Sequence, residues 1–324
     1  MPSQHRDDAT EKRSRSLHWF AILLSCVTVA LLVAGALVTS NEAGDSVPDW
    51  PLSFGRWLIR SDNFIANVRY EYSHRFVAGV VGITTLLFAI WAYLSERRSW
   101  MRKLGMIALA GVIAQAGIGG LRVLFPEHKA LIAIPHALVA QGFFAVIVGM
   151  SVFTSRSWFL PRETKTEERG PSLRKLSVVA LAAVLIQLVL GAGFRHGAFG
   201  IIPHIAGAGV VTLLIISTVV IVIRRHRVDR YLVRPAKIAI ALLIAQLGLG
   251  VAAYLARVGS ASDPQPLEPM ISLTAAHLVV GALTLATLVV LMLRCYQVLA
   301  PRQEQAMDSA RARGLQSSAR GAAA

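Results

Sequence analysis

Residues 71–94 read EYSHRFVAGVVGITTLLFAIWAYL, with a glutamate, a histidine and an arginine at the head of a long apolar run. A run of about 20 apolar residues is the length that an α-helix needs to cross a bilayer. Ionisable groups are costly at that depth, so their presence usually marks a functional site. The segment therefore predicts a membrane-spanning helix that carries a site near its start.

Seven further apolar segments of similar length lie along the chain. Of its 324 residues, 55% are hydrophobic, and the mean hydropathy is +0.56, which is more apolar than a typical soluble domain. The pattern predicts an all-α integral membrane protein with eight transmembrane helices and no room for a soluble catalytic domain. The predicted spans are residues 18–39, 72–94, 104–124, 131–153, 175–194, 201–223, 236–256 and 271–293.

The net charge of +15 follows the predicted topology. Of the 33 lysines and arginines, 25 fall on one side of the predicted membrane, in both termini and in alternate loops. Because positive residues collect on the cytoplasmic side, this split predicts that both termini are cytoplasmic and argues against a nucleic-acid partner. The two cysteines, Cys26 and Cys295, lie inside predicted spans and indicate neither a disulfide framework nor a metal motif.

The spans fall into two halves. Spans 3 and 7 share the pattern Ala-Gln-x-Gly-x-Gly, at residues 114–119 and 245–250. This echo predicts a tandem repeat of two pseudo-symmetric four-helix bundles, related by an axis along the membrane normal. The predicted parts are a cytoplasmic tail (1–17), an N-terminal half (18–153), a cytoplasmic linker (154–174), a C-terminal half (175–298) and a disordered cytoplasmic tail (299–324).

Each even-numbered span carries one histidine within its first turns, and the odd-numbered spans carry none in their interiors. Two imidazoles in each four-helix bundle are typical of the axial ligands of a haem iron. Zinc is a weaker interpretation, because a structural zinc site usually closes with four ligands. A proton relay explains neither the pairing nor the nearby glycines. The predicted ligands are His74, His136, His204 and His277.

The two halves differ just before their first histidine. Glu71 precedes His74 by three residues, whereas an isoleucine takes that place before His204. A carboxylate beside a haem edge can act as an acid or a base. The first half is therefore the candidate reaction site, and the second half a candidate electron-transfer site. Alternatively, Glu71 forms a salt bridge with Arg75 or Arg69 at the interface.

Two arginines are candidates for binding the propionate groups of a haem, because a guanidinium binds a carboxylate through a fork of donors. Arg75 follows His74 directly, and Arg195 stands at the end of the fifth span. Both are equally consistent with interfacial anchors. His196, next to Arg195, is a lesser candidate for a ligand.

The same residues resemble a known family. Residues 35–39 (Gly-Ala-Leu-Val-Thr) and 48–52 (Pro-Asp-Trp-Pro-Leu) look like the first span and following loop of haem A synthases. Residues 71–75 are similar to that family's Glu-x-x-His-Arg signature. Residues 115–123 resemble its third span, and residues 245–250 its seventh. The matching motifs are spread over most of the chain.

The resemblance implies an eight-helix bacterial plasma-membrane enzyme that oxidises the C8 methyl group of haem O to the formyl group of haem A. Carried over to this chain, His74 and His136 would flank the substrate haem O, with Glu71 important for catalysis. His204 and His277 would ligate a resident haem b. The implied partners are haem O synthase and the assembly machinery of haem-copper terminal oxidases, and the electron donor stays open.

Two departures from the family pattern matter. Many members carry a cysteine pair around the Asp-Trp-Pro-Leu run, where this chain has Val47 and Ser53, so a redox or loop-stabilising disulfide is missing. The loop at residues 195–200 is very short, which puts in doubt any cover over the second haem.

Two other functions fit the residues. One is a di-haem b-type cytochrome that transfers electrons from quinol, and the other is a non-enzymatic haem carrier or assembly factor. Glu71, which has no counterpart in the second half, argues against the symmetric role of a cytochrome.

Overall fold

The structure, a computed structural model, describes residues 2–160, 164–167, 170–259 and 267–300. Eight helices in the described chain are long and apolar enough to cross a membrane, which confirms the predicted all-α, multi-pass membrane protein. Helices form because a bilayer offers no water to backbone N–H and C=O groups, which must pair within the segment. The long helices are α1 (Pro2–Ser40), α2 (Val68–Ser95), α3 (Ser99–Leu124), α4 (Lys129–Thr154), α6 (Leu173–Arg195), α7 (Ile202–Arg225), α8 (Arg230–Gly259) and α9 (Glu268–Val298).

Short elements connect the long helices. A four-residue helix, α5 (Arg156–Phe159), follows α4, and 3-10 turns form at Ser61–Asn63 and Pro126–His128. Two-residue strands, β1 (Lys165–Thr166) and β2 (Leu299–Ala300), pair in parallel. This pairing joins the predicted linker to the end of α9.

Most helices extend a few residues beyond the predicted spans, and two starts are notable. α1 begins at Pro2, so residues 2–17, predicted as a cytoplasmic tail, are helical. α4 begins at Lys129, which places Pro135 inside the helix and not in its first turn. A proline at an interior position lacks the N–H that would bond to the carbonyl four residues earlier, here that of Leu131. Of the predicted tail 299–324, all but β2 lies outside the described residues.

Buried apolar side chains form three clusters. One lies among α1, α2, α3 and α4 and includes Phe88 and Ile147, and one lies among α6, α7, α8 and α9 and includes Ile215. The third joins the two groups of helices, through Phe144 of α4 and Val289 of α9. Between membrane helices such close packing, and not the exclusion of water, supplies the stabilisation.

The outer faces of the spans are apolar and uncovered by protein. Leu94, Leu213 and Ile244 are 76, 68 and 67% exposed. In water, so large an apolar surface would drive aggregation. Lipid chains are the solvent that matches it.

Arg294, near the end of α9, fastens this helix to the segment after α4. It is only 7% exposed and donates hydrogen bonds to Gln297 Oε1 and Ser157 Oγ, both at 2.6 Å. The Gln297 amide in turn donates to the Trp158 carbonyl at 3.0 Å. A buried cation with this many partners holds the two halves in one arrangement.

We expect Arg294→Met to lower the free energy of unfolding by about 1–3 kcal/mol, because it leaves the acceptors on Ser157 and Gln297 without their donor. The thermal unfolding midpoint of the detergent-solubilised protein measures this. Arg227→Met, which removes an exposed arginine in the loop before α8, is the matched control and should leave the midpoint unchanged. Equal midpoints for the two variants would contradict a stabilising role of Arg294.

Candidate functional site

His74 of α2 and His136 of α4 form the first histidine pair. Each ring packs against a glycine on the preceding long helix. A Cβ on Gly35 would lie 3.1 Å from His74 Cε1, and a Cβ on Gly119 would lie 3.2 Å from His136 Cε1. The two rings are also close enough to interact electrostatically. The structure therefore brings the first predicted pair together, in a space that the absence of a side chain on each glycine provides.

His204 of α7 and His277 of α9 form the second histidine pair. Their ring centroids are 6.3 Å apart, and their planes are inclined at 74°. Gly191 and Gly250 again lie opposite the rings, since a Cβ on either would come within 2.9 Å of the facing Cε1. The same contact between an imidazole and a glycine thus occurs at all four predicted ligands.

The separation of the second pair fits one metal ion between the rings. A ligating imidazole nitrogen lies about 2 Å from its metal and about 1 Å from its ring centre, so two rings across one ion have centroids about 6 Å apart. Within the described ranges, no three His, Cys, Asp or Glu side chains come together as a metal site. A donor set of two imidazoles is what a haem iron takes as axial ligands.

Glutamines hold the second pair in place. Gln187 Nε2 lies 2.9 Å from His204 Nδ1 and 2.8 Å from the His204 carbonyl oxygen. His277 Nδ1 lies 3.1 Å from the carbonyl oxygen of Gln246. A carbonyl can only accept, so Nδ1 of His277 carries the proton, and its Nε2 accepts from the side-chain Nε2 of Gln246 at 3.2 Å. An amide nitrogen can only donate, so Nδ1 of His204 is the acceptor for Gln187, and the proton of this neutral ring lies on Nε2. A metal would bind His277 Nε2 in place of the Gln246 amide, and would bind His204 Nε2 in place of its proton.

The first pair lacks these contacts. Nδ1 of His74 and Nδ1 of His136 are buried without a hydrogen-bond partner in the described part of the chain. Gln115 donates to the backbone carbonyl of His136 at 3.0 Å and not to its ring. On α1, the residue four positions before Gly35 is Leu31, whereas the other three helices have a glutamine at the matching position. The Leu31 carbonyl lies near the His74 ring but does not complete a hydrogen bond with it. The first pair is therefore less tightly fixed than the second.

The Glu71 carboxylate is bound to the loop at residues 41–67. The side chain is 4% exposed. Its Oε2 accepts hydrogen bonds from the backbone N–H groups of Ser46 (2.8 Å) and Val47 (2.9 Å), and its Oε1 accepts from Arg75 Nη2 at 2.6 Å. The salt bridge to Arg75 that the sequence left open is present, and a catalytic function of Glu71 stays a prediction.

Arg75 extends the same network. Its Nη1 donates to the carbonyl oxygens of Asp49 (2.6 Å) and Leu52 (3.0 Å), and its Nη2 donates to that of Val47 at 3.2 Å. With the bond to Glu71, both terminal nitrogens are fully used. A haem propionate could bind Arg75 only by replacing one of these partners, so the predicted propionate contact stays a prediction.

Aromatic side chains from the loops lie against glycines beside both pairs. A Cβ on Gly120, next to Gly119, would come within 2.6 Å of the Trp50 ring. On α6, the Phe199 ring lies against Gly193, two residues after Gly191. The short 195–200 loop therefore packs one large ring against the end of α6, two residues from the glycine that faces His204 and not on the same helix face.

Arg195 ends α6 and contacts the first half. Its Nη2 donates to the Thr39 carbonyl at 2.9 Å. Burial and the nearby charges of Arg122 and Arg195 lower the pKa of His196 to about 4, so this imidazole is neutral at neutral pH. The predicted propionate contact of Arg195 and the predicted ligand function of His196 stay predictions.

A family model described as "Cytochrome oxidase assembly protein" (COX15-CtaA) matches residues 18–203, more than half of the chain. The chain belongs to this family.

Three relatives named "Heme A synthase" show the range of similarity. One from Halalkalibacterium halodurans is 34% identical over 137 residues, 41% of this chain and 45% of the relative. One from Lysinibacillus sphaericus is 32% identical over 189 residues, 57% and 60% of the two chains. One from Shouchella clausii is 25% identical over 269 residues, 74% and 87% of the two chains.

The COX15-CtaA match confirms the family that the motifs predicted. It covers the first histidine pair and Glu71 and ends at Pro203, one residue before His204. The chain spans about half the length of several of its relatives, including the one from Halalkalibacterium halodurans.

The glutamines and glycines of this COX15-CtaA protein are visible in its sequence, but their contacts with the four histidines were not predicted from it. Gln115, Gln187 and Gln246 each precede, by four residues, the glycine that faces a histidine. Residues four apart share a helix face, so this spacing is a signal that could have assigned the glutamines to the sites. Arg122, which lies near the first pair, carries no comparable signal.

We expect Glu71→Ala to speed hydrogen exchange at the amides of Ser46 and Val47 by about tenfold or more, because each loses a charge-assisted acceptor. Mass spectrometry of peptides from residues 44–52 measures this. Glu71→Gln, which keeps an acceptor oxygen, should have a smaller effect. Glu127→Ala, at a carboxylate that is 59% exposed, is the control. Unchanged exchange in Glu71→Ala would show that the carboxylate does not hold the loop.

Proposed function

We propose that this chain is a haem A synthase, a membrane enzyme that oxidises the C8 methyl group of haem O to a formyl group. The pairing of His204 and His277, with centroids 6.3 Å apart, is the observation that carries the proposal. Two imidazoles at this separation would suit the two axial positions of a haem iron, which supports the proposal. Membership of the cytochrome oxidase assembly family and similarity to relatives named "Heme A synthase" support the same reaction.

In this proposal, His204 and His277 hold a resident haem b. The hydrogen bond from His277 Nδ1 to the Gln246 carbonyl supports the assignment, because a permanently bound metal is favoured when its ligands are fixed by outer hydrogen bonds. His74 and His136 flank the substrate haem O. Their unpartnered Nδ1 atoms leave the rings freer to accept and release a ligand.

A bound haem supplies the redox chemistry at the methyl group. The change from methyl to formyl adds one oxygen atom and removes four electrons from the carbon. With water as the oxygen source, four electrons and four protons are released to an acceptor. With molecular oxygen as the source, two hydroxylations each consume one O2, two electrons from a donor and two protons and release one water, and the resulting gem-diol loses water to give the formyl group. Glu71 is the proposed proton acceptor beside the first pair. Its carboxylate could take a proton only when its hydrogen bonds to Arg75 and the loop weaken, since those bonds stabilise the charged form.

The proposed setting is the plasma membrane of a bacterium, with both termini in the cytoplasm. The distribution of lysine and arginine between alternate loops supports this orientation. Haem O synthase would supply the substrate, and the assembly machinery of a haem-copper terminal oxidase would take the product. We also propose that the two histidine pairs belong to two pseudo-symmetric bundles, a relation that the repeated contacts between imidazole and glycine support.

Co-expression with a haem O synthase in a host that makes no haem A should produce haem A, detected by chromatography of extracted haems. His74→Ala should abolish the haem A peak, because the substrate loses an axial ligand. Accumulated haem O in cells with the wild-type chain, with a partner electron donor supplied, would instead favour a cytochrome or a haem carrier.

Gly250→Ala should lower the amount of haem b that copurifies with the protein, because the added Cβ would come within 2.9 Å of His277 and displace its ring. Gly248→Ala, on the same helix with nothing within 4 Å of its Cβ, is the matched control. The pyridine haemochrome spectrum gives haem per protein. Equal haem content in the two variants would contradict the assignment of His277.

A further inference from the structure

Arg122 lies beside the first histidine pair. It stands in the last turn of α3, three residues after Gly119, and therefore shares a helix face with the glycine that contacts His136. Its charge is close enough to His74 and His136 to interact with both. The guanidinium is thus a neighbour of the site where we propose that haem O binds.

The Arg122 side chain lacks a partner for its charge. Its Nε is buried and has no hydrogen-bond partner in the described chain. No carboxylate of the residues described forms an ion pair with it either. Arg122 is partly buried, and taking a cation even partly out of water costs free energy unless an anion pairs with it and accepts its hydrogen bonds. The site therefore favours the binding of an anion.

The surroundings of Arg122 add positive charge. Arg122 and Arg195 both act on His196, and Arg257 is within electrostatic range of Arg195. The carboxylate of Glu42 interacts with Arg195 in the same region. Glu42 partly offsets the charge of Arg195, so the attraction of an entering carboxylate to the first site comes chiefly from Arg122.

Gly44, in the 41–67 loop, provides the space for the guanidinium. A Cβ on Gly44 would lie 2.5 Å from Arg122 Nη2 and 2.8 Å from its Cζ. Arg122 therefore packs against loop backbone, and any side chain at position 44 would shift the guanidinium without removing its charge.

Arg122 and Arg75 differ in the donors that they have available. The terminal nitrogens of Arg75 are fully used by the loop and by Glu71, whereas Arg122 makes no hydrogen bond to the described residues. The second half has Ala253 three residues after Gly250, where the first half has Arg122. The free guanidinium is thus particular to the first site.

We propose that Arg122 binds a propionate carboxylate of the haem held between His74 and His136, and that Gly44 keeps the room for this contact. A guanidinium offers a carboxylate two parallel N–H donors. Arg122 would therefore orient the porphyrin plane between the two imidazoles. This inference rests on the proposed substrate site, and it replaces Arg75 with Arg122 as the arginine that binds the substrate.

The test compares two probes, haem O and haem O whose propionates are both methyl esters. Each is titrated into the purified full-length protein that already carries its resident haem, and the Soret difference spectrum gives the dissociation constant. We expect the wild type to bind the free acid about tenfold or more tightly than the ester, in line with a charge-assisted hydrogen bond. Arg122→Gln should lose most of this preference and bind the ester as the wild type does.

Three further variants sharpen the test. Arg122→Lys keeps the charge but not the fork and should retain part of the preference. Gly44→Ala moves the guanidinium and should also weaken binding of the acid alone. Arg69→Gln removes an exposed arginine from the same side of the protein and should behave as the wild type. The resident haem content reports whether each variant is folded.

The outcomes separate the inference from the proposed function. If Arg122→Gln weakens the binding of acid and ester equally, or of neither, the inference is wrong. If the wild type shows no saturable binding of added haem O, the inference is overturned together with the substrate site. If the wild type shows the expected preference but makes no haem A on co-expression, Arg122 binds a haem carboxylate and the proposed reaction is wrong.

Discussion

The contact between an imidazole and a glycine on the preceding long helix is the interaction on which the rest of the structure depends. Cβ atoms at the four glycines would come within 2.9–3.2 Å of the rings. Any residue larger than glycine would therefore push the ring aside. The same contact fixes which helices pair, because α1 must lie against α2, α3 against α4, α6 against α7 and α8 against α9. The packing of the fold and the placement of the candidate ligands are therefore one constraint.

From this common contact the two halves diverge in the way that they hold the rings. The second pair receives hydrogen bonds from Gln187 and Gln246 at ring nitrogens, whereas in the first pair both Nδ1 atoms are unpartnered. Outer hydrogen bonds set the tautomer and orientation of a ligating histidine. A ring without them costs less to move, which suits the proposed substrate site, where one haem would have to bind and another leave.

Sequence reasoning predicted the eight spans and the four histidines because both follow local rules, namely the length of apolar runs and the spacing of ionisable residues within them. It could not predict contacts between residues far apart in the chain. Glu71 binds the N–H groups of Ser46 and Val47, and Arg122 packs on Gly44. No periodicity links such positions, since they depend on how the 41–67 loop folds back over the helices.

The position of Glu71 ties the loop to the charge state of a single carboxylate. The three hydrogen bonds that it accepts, from two backbone N–H groups and from Arg75, all favour the ionised form. If Glu71 takes a proton during the reaction, the bonds that hold the loop become weaker, because a neutral acceptor is a poorer partner for an arginine and for N–H donors. A structural and a catalytic role of Glu71 are therefore compatible. The loop above the first site would loosen at the step in which the carboxylate is protonated and tighten when the proton leaves.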